Sequence, residues 1–303
     1  MVSSKPDRTA QRADRTAQRT DRTAQRTDLD RAVALALKED LGEHDVDVTT
    51  KTVIDPELMG QAVIVARKPG VLSGNDAAAR VFEMIRPSCD YVALVPDGER
   101  LAAGEQVAKI TGSLSSILMG ERTALNFLQR MSGIATLTRR YTDALSQFPN
   151  VTLLDTRKTT PGLRFLERAA VRAGGGTNHR DGLWDAILIK DNHVAAAGGV
   201  AEAVRRARKA AMPVEVEVET LEQLGEALDG GADIVLLDNM PAELMRQAVE
   251  ITAGRAKLEA SGGMTLEGAV AAARAGIDRI SVGALTHSAP ALDLSLEVTR
   301  TWQ

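Results

Sequence analysis

The sequence contains one cysteine, Cys89, and only 3% aromatic residues. A single thiol cannot form an internal disulfide and lacks the spaced partners of a structural zinc site, so we expect a small buried residue there. No apolar run approaches the roughly 18 residues of a membrane-spanning helix, and the N-terminus has no apolar signal-peptide core. These absences predict a cytoplasmic protein without a membrane partner.

Excess positive charge is also absent, because the formal net charge is −4. A whole-protein attraction to nucleic acid or to anionic membranes is thereby excluded, and any anion must bind at a local basic site. The 303 residues suffice for one large α/β domain or for two ordinary ones. Hydrophobic residues at 44% and charged residues at 26% are typical of a soluble enzyme.

The N-terminus carries a seven-residue repeat, "DRTAQRA DRTAQRT DRTAQRT". A coiled coil needs apolar residues at its a and d positions, and here alanine is the only apolar residue in each repeat. We therefore predict a disordered basic tail over residues 1–27, with the folded chain beginning near Asp28.

Two regions with different patterns follow the tail. Over residues 28–133, short extended runs such as "QAVIVARKPGVLSG" and "YVALVPDG" are broken by turn signals and accompanied by helical patterns. This pattern predicts a small antiparallel sheet with helices on one face. The stretch from "SILMGERTALNF" to "TRRYTDAL" then predicts one or two helices that lead into the second region.

In the second region, residues 134–290, apolar strand-like runs alternate with helical patterns. The runs are "VTLLD", "AILIK", "PVEVEVE", "DIVLLD", "AKLEAS" and "RISVG". Such alternation predicts a parallel sheet, and this number of units favours a closed or nearly closed barrel. A doubly wound open sheet is the alternative, although the usual dinucleotide fingerprint is missing after its first strand.

Each predicted strand ends on polar, charged or glycine residues. The endings are Asp155 to Thr160, Lys190 to His193, Glu217 or Glu219, Asp238 with Asn239, Glu259 to Gly263, and Gly283. Solvated loops explain one such ending, but in a parallel barrel all these ends meet at the same mouth. The series therefore predicts a binding site at that mouth.

The residues at this mouth divide by chemistry. A cationic wall that suits carboxylates and phosphates is predicted from Arg157, Lys158, His179, Arg180 and Lys190. Glu217 and Asp238 are predicted to bind Mg²⁺ together with phosphate oxygens. The glycines of "SGGM" and "SVGALTHS" predict a phosphate subsite. Glu215, Glu217 and Glu219 alternate with valine, so all three are predicted to face the barrel interior.

The segment "LLDTRKTTPGLRFLERAAVRAGGGTNHRDGLWDAILIKDNHV" resembles the central signature of the quinolinate phosphoribosyltransferase family. "GERTALNFLQRMSGIAT", "EVEVE", "VLLDN", "EASGGM" and "ISVGALTHSAPALDLSL" resemble further family motifs in the same order. The resemblance implies an N-terminal α/β sandwich, an incomplete α/β barrel and a C-terminal segment, 291–303, that returns to the first domain. It also implies transfer of phosphoribosyl from phosphoribosyl pyrophosphate to quinolinate with decarboxylation, giving nicotinate mononucleotide in NAD biosynthesis.

The resemblance further implies a Mg²⁺ cofactor, a homodimer or larger homo-oligomer, and a role for each site residue. Arg122 is expected to reach the partner subunit's quinolinate, and the other quinolinate ligands are Arg157, Lys158, His179, Arg180 and Lys190. The expected ligands of phosphoribosyl pyrophosphate are Lys158, Lys190, Glu217, Asp238, Ser261, Gly262, Gly263 and Gly283. Lys158, Lys190, Glu217 and Asp238 are the catalytic candidates, and Glu219 is the alternative to Glu217.

Three other functions fit parts of the pattern. A phosphoribosyltransferase acting on nicotinate or another ring acid would need the same cations but would release no CO₂. A sugar-phosphate aldolase would use Lys158 or Lys190 to form a Schiff base. A non-catalytic sensor of phosphorylated metabolites would retain the barrel without turnover, because a fold does not determine function.

Overall fold

A helix of 31 residues, α4 (Leu114–Ala144), connects the two sheets of the protein. Its buried residues extend from Leu114 to Tyr141, and it contacts elements of both sheets. The sequence predicted one or two helices here, and the structure has a single continuous one. Residue 133, where the sequence analysis divides the two regions, lies within this helix.

The computed structural model describes residues 26–303, so residues 1–25 of the predicted tail lie outside the described residues. Residues 26 and 27, which the sequence assigned to the tail, belong to helix α1 (26–41). Arg26 lies 3.4 Å from the Glu83 carboxylate within this part of the fold. Asp28, near which the sequence predicts the folded chain to begin, lies in the first turn of this helix.

An antiparallel sheet with the strand order β12-β1-β5-β3 forms the first layer of the protein. The elements of this half are α2 (Val48–Val53), β1 (Met59–Ala66), β2 (Gly70–Val71), α3 (Asn75–Met84), β3 (Asp90–Ala93), β4 (Arg100–Leu101), β5 (Gln106–Ser113) and β12 (Leu294–Trp302). The C-terminal strand β12 pairs with β1, from Met59 opposite Trp302 to Ala66 opposite Leu294. The short strands β2 and β4 pair separately.

A six-stranded parallel sheet with the order β6-β11-β10-β9-β8-β7 forms the second half. Its strands are β6 (Thr152–Leu154), β7 (Ile187–Ile189), β8 (Val214–Val218), β9 (Ile234–Asp238), β10 (Lys257–Ser261) and β11 (Arg279–Ser281). Its helices are α5 (Arg164–Ala173), α6 (Asp191–Ala197), α7 (Val200–Ala207), α8 (Leu221–Gly230), α9 (Ala242–Thr252), α10 (Leu266–Ala275) and α11 (Ala284–His287). The predicted α/β class with an incomplete barrel is confirmed.

Strong curvature distinguishes this sheet from the doubly wound alternative. A flat sheet of this width would hold its edge strands roughly 24 Å apart, at about 4.8 Å for each strand spacing. Here residues that follow β6 and residues of β7, at opposite edges, line the same cavity. Within residues 26–303 these two edges are not paired with each other, although Thr177 forms a parallel bridge to Leu154 on β6. The barrel is therefore curved but open.

The end of β8 corrects one prediction. Glu215 is buried and Glu217 is half-buried, but β8 ends at Val218 and Glu219 is exposed beyond it. The main-chain N–H of Glu219 donates to Gln223 Oε1, so this residue lies in the connection to helix α8, whose N-cap is Thr220. The prediction that all three glutamates face the interior is wrong for Glu219, because the strand is one residue shorter than its pattern.

The long helix α4 also meets the chain that leads into β12. A Cβ atom added at Gly133 would lie 2.1 Å from the Pro290 carbonyl oxygen. On the same helix, the Gln129 carbonyl accepts from the Leu292 N–H and the Gln129 side chain donates to the Leu294 carbonyl. Among the described helices, none is both long and apolar enough to cross a membrane.

We expect Gly133→Ala to lower the melting temperature, because overpacking against a main-chain carbonyl costs about 1–3 kcal/mol. Gly225→Ala is the matched control, since Gly225 is also helical and a Cβ there meets no atom within 4 Å. Alanine in an open helical position should stabilise by about 1 kcal/mol. Calorimetry of both variants checks the prediction, and equal melting temperatures for the two would contradict it.

Candidate functional site

A cavity of about 1070 Å³ opens at the C-terminal ends of the parallel strands. It brings together every predicted site residue except Arg122: Arg157, Lys158, His179, Arg180, Lys190, Glu217, Asp238, Ser261, Gly262, Gly263 and Gly283. These residues come from the ends of all six strands and from the segment before β7. Arg122 is exposed on α4 and does not line this cavity, so its role toward a partner subunit stays a prediction.

Three cations on one side of the cavity have no carboxylate partner within the described part of the chain. They are Arg157, Lys158 and Arg180. The Arg157 Nε atom is buried without a hydrogen-bond partner there, and Arg180 Nη1 donates only to the Ala186 carbonyl at 3.2 Å. Burial, followed by the charge of Arg157, lowers the pKa of the Arg180 guanidinium. Such cations favour an anionic ligand.

A different arrangement stands at the ends of β7, β8 and β9. The Lys190 ammonium, at the start of α6, forms an ion pair with the Glu217 carboxylate. Asp238 ends the neighbouring strand β9, and one of its carboxylate oxygens accepts from Asn239 Nδ2 at 3.0 Å. Carboxylate oxygens are hard ligands of the kind that Mg²⁺ prefers, together with the oxygens of phosphorylated substrates. The donor set of Glu217 and Asp238 therefore fits this ion.

The glycines after β10 would let a ligand approach the main chain closely, because they carry no side chain. Gly262 has a φ of 91° and Gly263 a φ of 50°, in the left-handed region that favours glycine. A Cβ at Gly262 would lie 2.4 Å from the Asn239 side chain, so this position accepts no larger residue. Helix α10 begins directly after this loop and has Thr265 as its N-cap. Main-chain N–H groups at a helix start suit a phosphate.

His179 lies beneath the cations and faces two carboxylates. Its Nε2 atom is 3.3 Å from Glu215 Oε2 and 3.4 Å from Glu259 Oε1. Burial opposes the charged imidazolium, but hydrogen bonds and charges from both glutamates outweigh it and raise the pKa of His179 to about 9. His179 Nδ1 accepts from the Arg180 N–H at 2.7 Å, which favours the neutral ring and opposes part of this rise.

Among residues 26–303, His179, Glu215 and Glu259 form the one group of three potential metal-binding side chains whose ligand atoms all lie within 4.8 Å of one another. The hydrogen bond accepted by Nδ1 argues against a metal there, because it leaves the proton on Nε2 in the neutral ring. The cation carries a proton on Nε2 as well, so in neither state is this atom a ligand. Glu259 is further bound by Ser281 and by Arg279 at 2.7 Å. The trio is an ion-pair network.

Several residues that line the cavity were missed by the sequence analysis. They include Arg140, Tyr141, Thr265, Glu267 and His287. His287 follows the last strand in "ALTH", so its position after a strand end was the available signal. Arg140 and Tyr141 lie on α4, before the barrel begins, and no strand-end pattern marks them. The Tyr141 hydroxyl donates to the Met264 carbonyl at 3.1 Å and so holds the glycine loop against α4.

Known proteins resemble this chain along most of its length. The family description "Quinolinate phosphoribosyl transferase, N-terminal domain" matches residues 47–132, and the description of the C-terminal domain matches residues 134–297. A Bacillus subtilis protein named probable nicotinate-nucleotide pyrophosphorylase [carboxylating] is 45% identical over 86% of this chain and 90% of its own length. A Mycobacterium leprae nicotinate-nucleotide pyrophosphorylase [carboxylating] is 44% identical over 87% and 94%.

Solved structures show the same likeness. The nicotinate-nucleotide pyrophosphorylase from Francisella tularensis superimposes with a TM-score of 0.85 at 41% identity. That superposition covers 90% of this chain and 96% of the other. Both domain descriptions, the relatives and the architecture agree. The chain belongs to the quinolinate phosphoribosyltransferase family.

Proposed function

We propose that the protein transfers the phosphoribosyl group of phosphoribosyl pyrophosphate to the ring nitrogen of quinolinate. The products are nicotinate mononucleotide, pyrophosphate and CO₂, and the reaction belongs to NAD biosynthesis. The observation that carries the proposal is that Arg157, Lys158 and Arg180, which have no carboxylate partner in residues 26–303, line one cavity with Glu217 and Asp238. The names of the relatives support the same reaction.

The charges of the two substrates match the two ends of the cavity. Quinolinate carries two carboxylates on a planar ring, and guanidinium groups such as those of Arg157 and Arg180 bind carboxylates through paired hydrogen bonds. Phosphoribosyl pyrophosphate carries phosphates at both ends. The glycine loop suits its 5-phosphate, and Lys158 and Lys190 suit the pyrophosphate. Each substrate therefore has its own subsite.

The chemistry requires positioning and charge stabilisation but no nucleophilic residue. As the ring nitrogen bonds to C1 and pyrophosphate departs, the ribose becomes oxocarbenium-like, and Glu217 and Asp238 lie at the strand ends that face it. Bound Mg²⁺, held by these two carboxylates, would neutralise charge on the pyrophosphate. The quaternised ring then stabilises the carbanion left by CO₂, with Lys158 as the nearby cation, and a proton completes the product.

The aldolase alternative fits this geometry less well. A Schiff-base lysine needs a neutral amine, which proteins obtain in an apolar pocket or beside another cation. Lys158 is exposed, and Lys190 is ion-paired with Glu217. Neither lysine stands in an apolar pocket, and solvent at the exposed Lys158 screens the charges of the arginines that share its cavity.

We also propose a homodimer in which Arg122 reaches the quinolinate of the partner subunit. Its exposure on α4, outside its own cavity, supports this arrangement. The cytoplasmic location stays a prediction of the sequence.

The reaction itself is the first prediction of this proposal. Purified protein with quinolinate carrying ¹⁴C in its 2-carboxylate, phosphoribosyl pyrophosphate and Mg²⁺ should release ¹⁴CO₂ and nicotinate mononucleotide in equal amounts. EDTA should abolish turnover, because Glu217 and Asp238 would then lack the ion. Nicotinate in place of quinolinate should be a poor substrate. Faster turnover of nicotinate than of quinolinate would favour the related transferase, and no nucleotide from either acid would refute the proposal.

Glu217 and Glu219 provide a test substitution and a matched control for the proposed metal and ribose site. Glu217→Gln should lower kcat/KM for phosphoribosyl pyrophosphate at least ~100-fold, the scale of losing one charge-stabilising group in an active site. Glu219→Gln should stay within about twofold of the parent, since Glu219 is exposed and does not line the cavity. Steady-state kinetics over a range of Mg²⁺ concentrations measure both. Equal effects of the two substitutions would show that the assignment is mistaken.

The charge of His179 predicts a pH dependence of stability. Its pKa in the folded protein, about 9, lies above its ordinary value of 6.5. Its protonation therefore stabilises the fold fully below about pH 6.5, and this contribution is lost as the pH rises through about 9. The melting temperature of the parent relative to His179→Gln should fall between pH 6.5 and pH 10. Calorimetry measures this difference, and a difference independent of pH would contradict the raised pKa.

A further inference from the structure

The main chain that presents His179 and Arg180 to the cavity is held by a buried carboxylate. Asp155 directly follows β6 and has no solvent exposure. Its Oδ1 atom accepts from the His179 N–H at 2.7 Å, and its Oδ2 atom accepts from Asn178 Nδ2 at 2.7 Å. Both carboxylate oxygens therefore bind the segment immediately before Arg180.

A buried arginine holds the same segment from its carbonyl side. Arg168, on α5, is 7% exposed. Its Nη2 atom donates to the His179 carbonyl at 2.7 Å, and its Nη1 atom donates to the Arg180 carbonyl at 2.9 Å. It also pairs with Asp181 at 2.5 Å and lies 3.9 Å from Asp155. The N–H of His179 and both following carbonyls are thus fixed by two oppositely charged side chains.

Stability alone does not explain this expensive arrangement. Burying a guanidinium and a carboxylate removes both from water, and a well-packed apolar pair is often equally stable or more so. The hydrogen bonds of Arg168 to this segment reach main-chain oxygens of His179 and Arg180, two residues that line the cavity. The main chain fixes the position of each Cα atom and therefore the direction of the side chain. A displacement of about 1 Å in a group that positions the substrate can lower the reaction rate ~100-fold.

We propose that Asp155 and Arg168 are positioning residues that hold His179 and Arg180 in the orientation needed to bind a planar aromatic dicarboxylate. The inference rests on the proposed function, since quinolinate is the dicarboxylate in that reaction. Neither positioning residue lines the cavity. Their effect should therefore be confined to the ring-acid subsite, because within residues 26–303 no hydrogen bond or ion pair joins either of them to the glycine loop after β10.

The test separates the two substrates. Arg168→Met and Asp155→Asn should raise KM for quinolinate about 10–100-fold while KM for phosphoribosyl pyrophosphate stays within about twofold. Arg168→Lys should recover most of the affinity for quinolinate, because its ammonium keeps the charge and reaches at least one of the carbonyls. A purely structural role would lower the melting temperature and the amount of active enzyme without separating the two KM values.

Arg80→Met is the matched control. Arg80 is a partly buried arginine on α3 that pairs with Asp30 at 2.8 Å and Glu83 at 2.9 Å, away from the cavity. This variant should lose stability but leave both KM values within about twofold. Equal rises of the two KM values in Arg168→Met, or no rise for quinolinate, would overturn the inference.

Two further results keep the outcomes distinct. If Arg168→Met does not fold, Arg168→Lys and Asp155→Asn are compared on the same two KM values, and the absence of a selective rise in Asp155→Asn then overturns the inference. If the parent enzyme makes no nicotinate mononucleotide, the proposed function itself fails. An active parent whose variants retain parental KM for quinolinate leaves the function standing and refutes only the positioning role.

Discussion

Repulsion between Arg157 and Arg180 is the constraint on which the site depends. The two guanidinium groups share one wall of the cavity, and the charge of Arg157 adds to burial in lowering the pKa of Arg180. No carboxylate within the described chain forms an ion pair with either one. The fold must therefore offset this repulsion by other contacts, and an anionic ligand is the partner that relieves it directly.

The surrounding fold supplies that compensation one layer deeper. Glu215 and Glu259 are buried on β8 and β10, where they face His179 beneath the two arginines. Strand β9 separates β8 and β10, so the two carboxylates approach the imidazole from different strands. The charge of Glu215 also opposes part of the lowering of the Arg180 pKa. Negative charge thus lies near the arginines without forming an ion pair with either of them in residues 26–303.

The strands and most of the site residues could be predicted from the sequence, because one geometric rule connects them. In a parallel sheet all C-terminal strand ends meet at one edge, so Lys190 and Asp238 could be grouped before any coordinates. The orientation of Glu219 could not be predicted, because it depends on where β8 ends and not on the alternation of its residues. Arg140 and Tyr141 reach the cavity from α4, and only tertiary packing brings that helix to the barrel mouth. The hydrogen bonds of Arg168 to two main-chain carbonyls also depend on tertiary packing, so the sequence does not predict them.

Under the proposed function, the unequal pairing of the cations favours a different subsite of the cavity for each substrate. Lys190 is neutralised by Glu217, whereas Arg157 and Arg180 have no carboxylate partner in residues 26–303. A planar dicarboxylate gains most at the arginines, because binding there disrupts no existing ion pair. A phosphorylated sugar at the other end must share Lys190 with Glu217, so it gains more from the main-chain N–H groups of the glycine loop and from a cation that occupies the carboxylates. If the proposed function holds, we therefore expect the ion pairs of the free protein to distinguish the ring acid from the sugar donor.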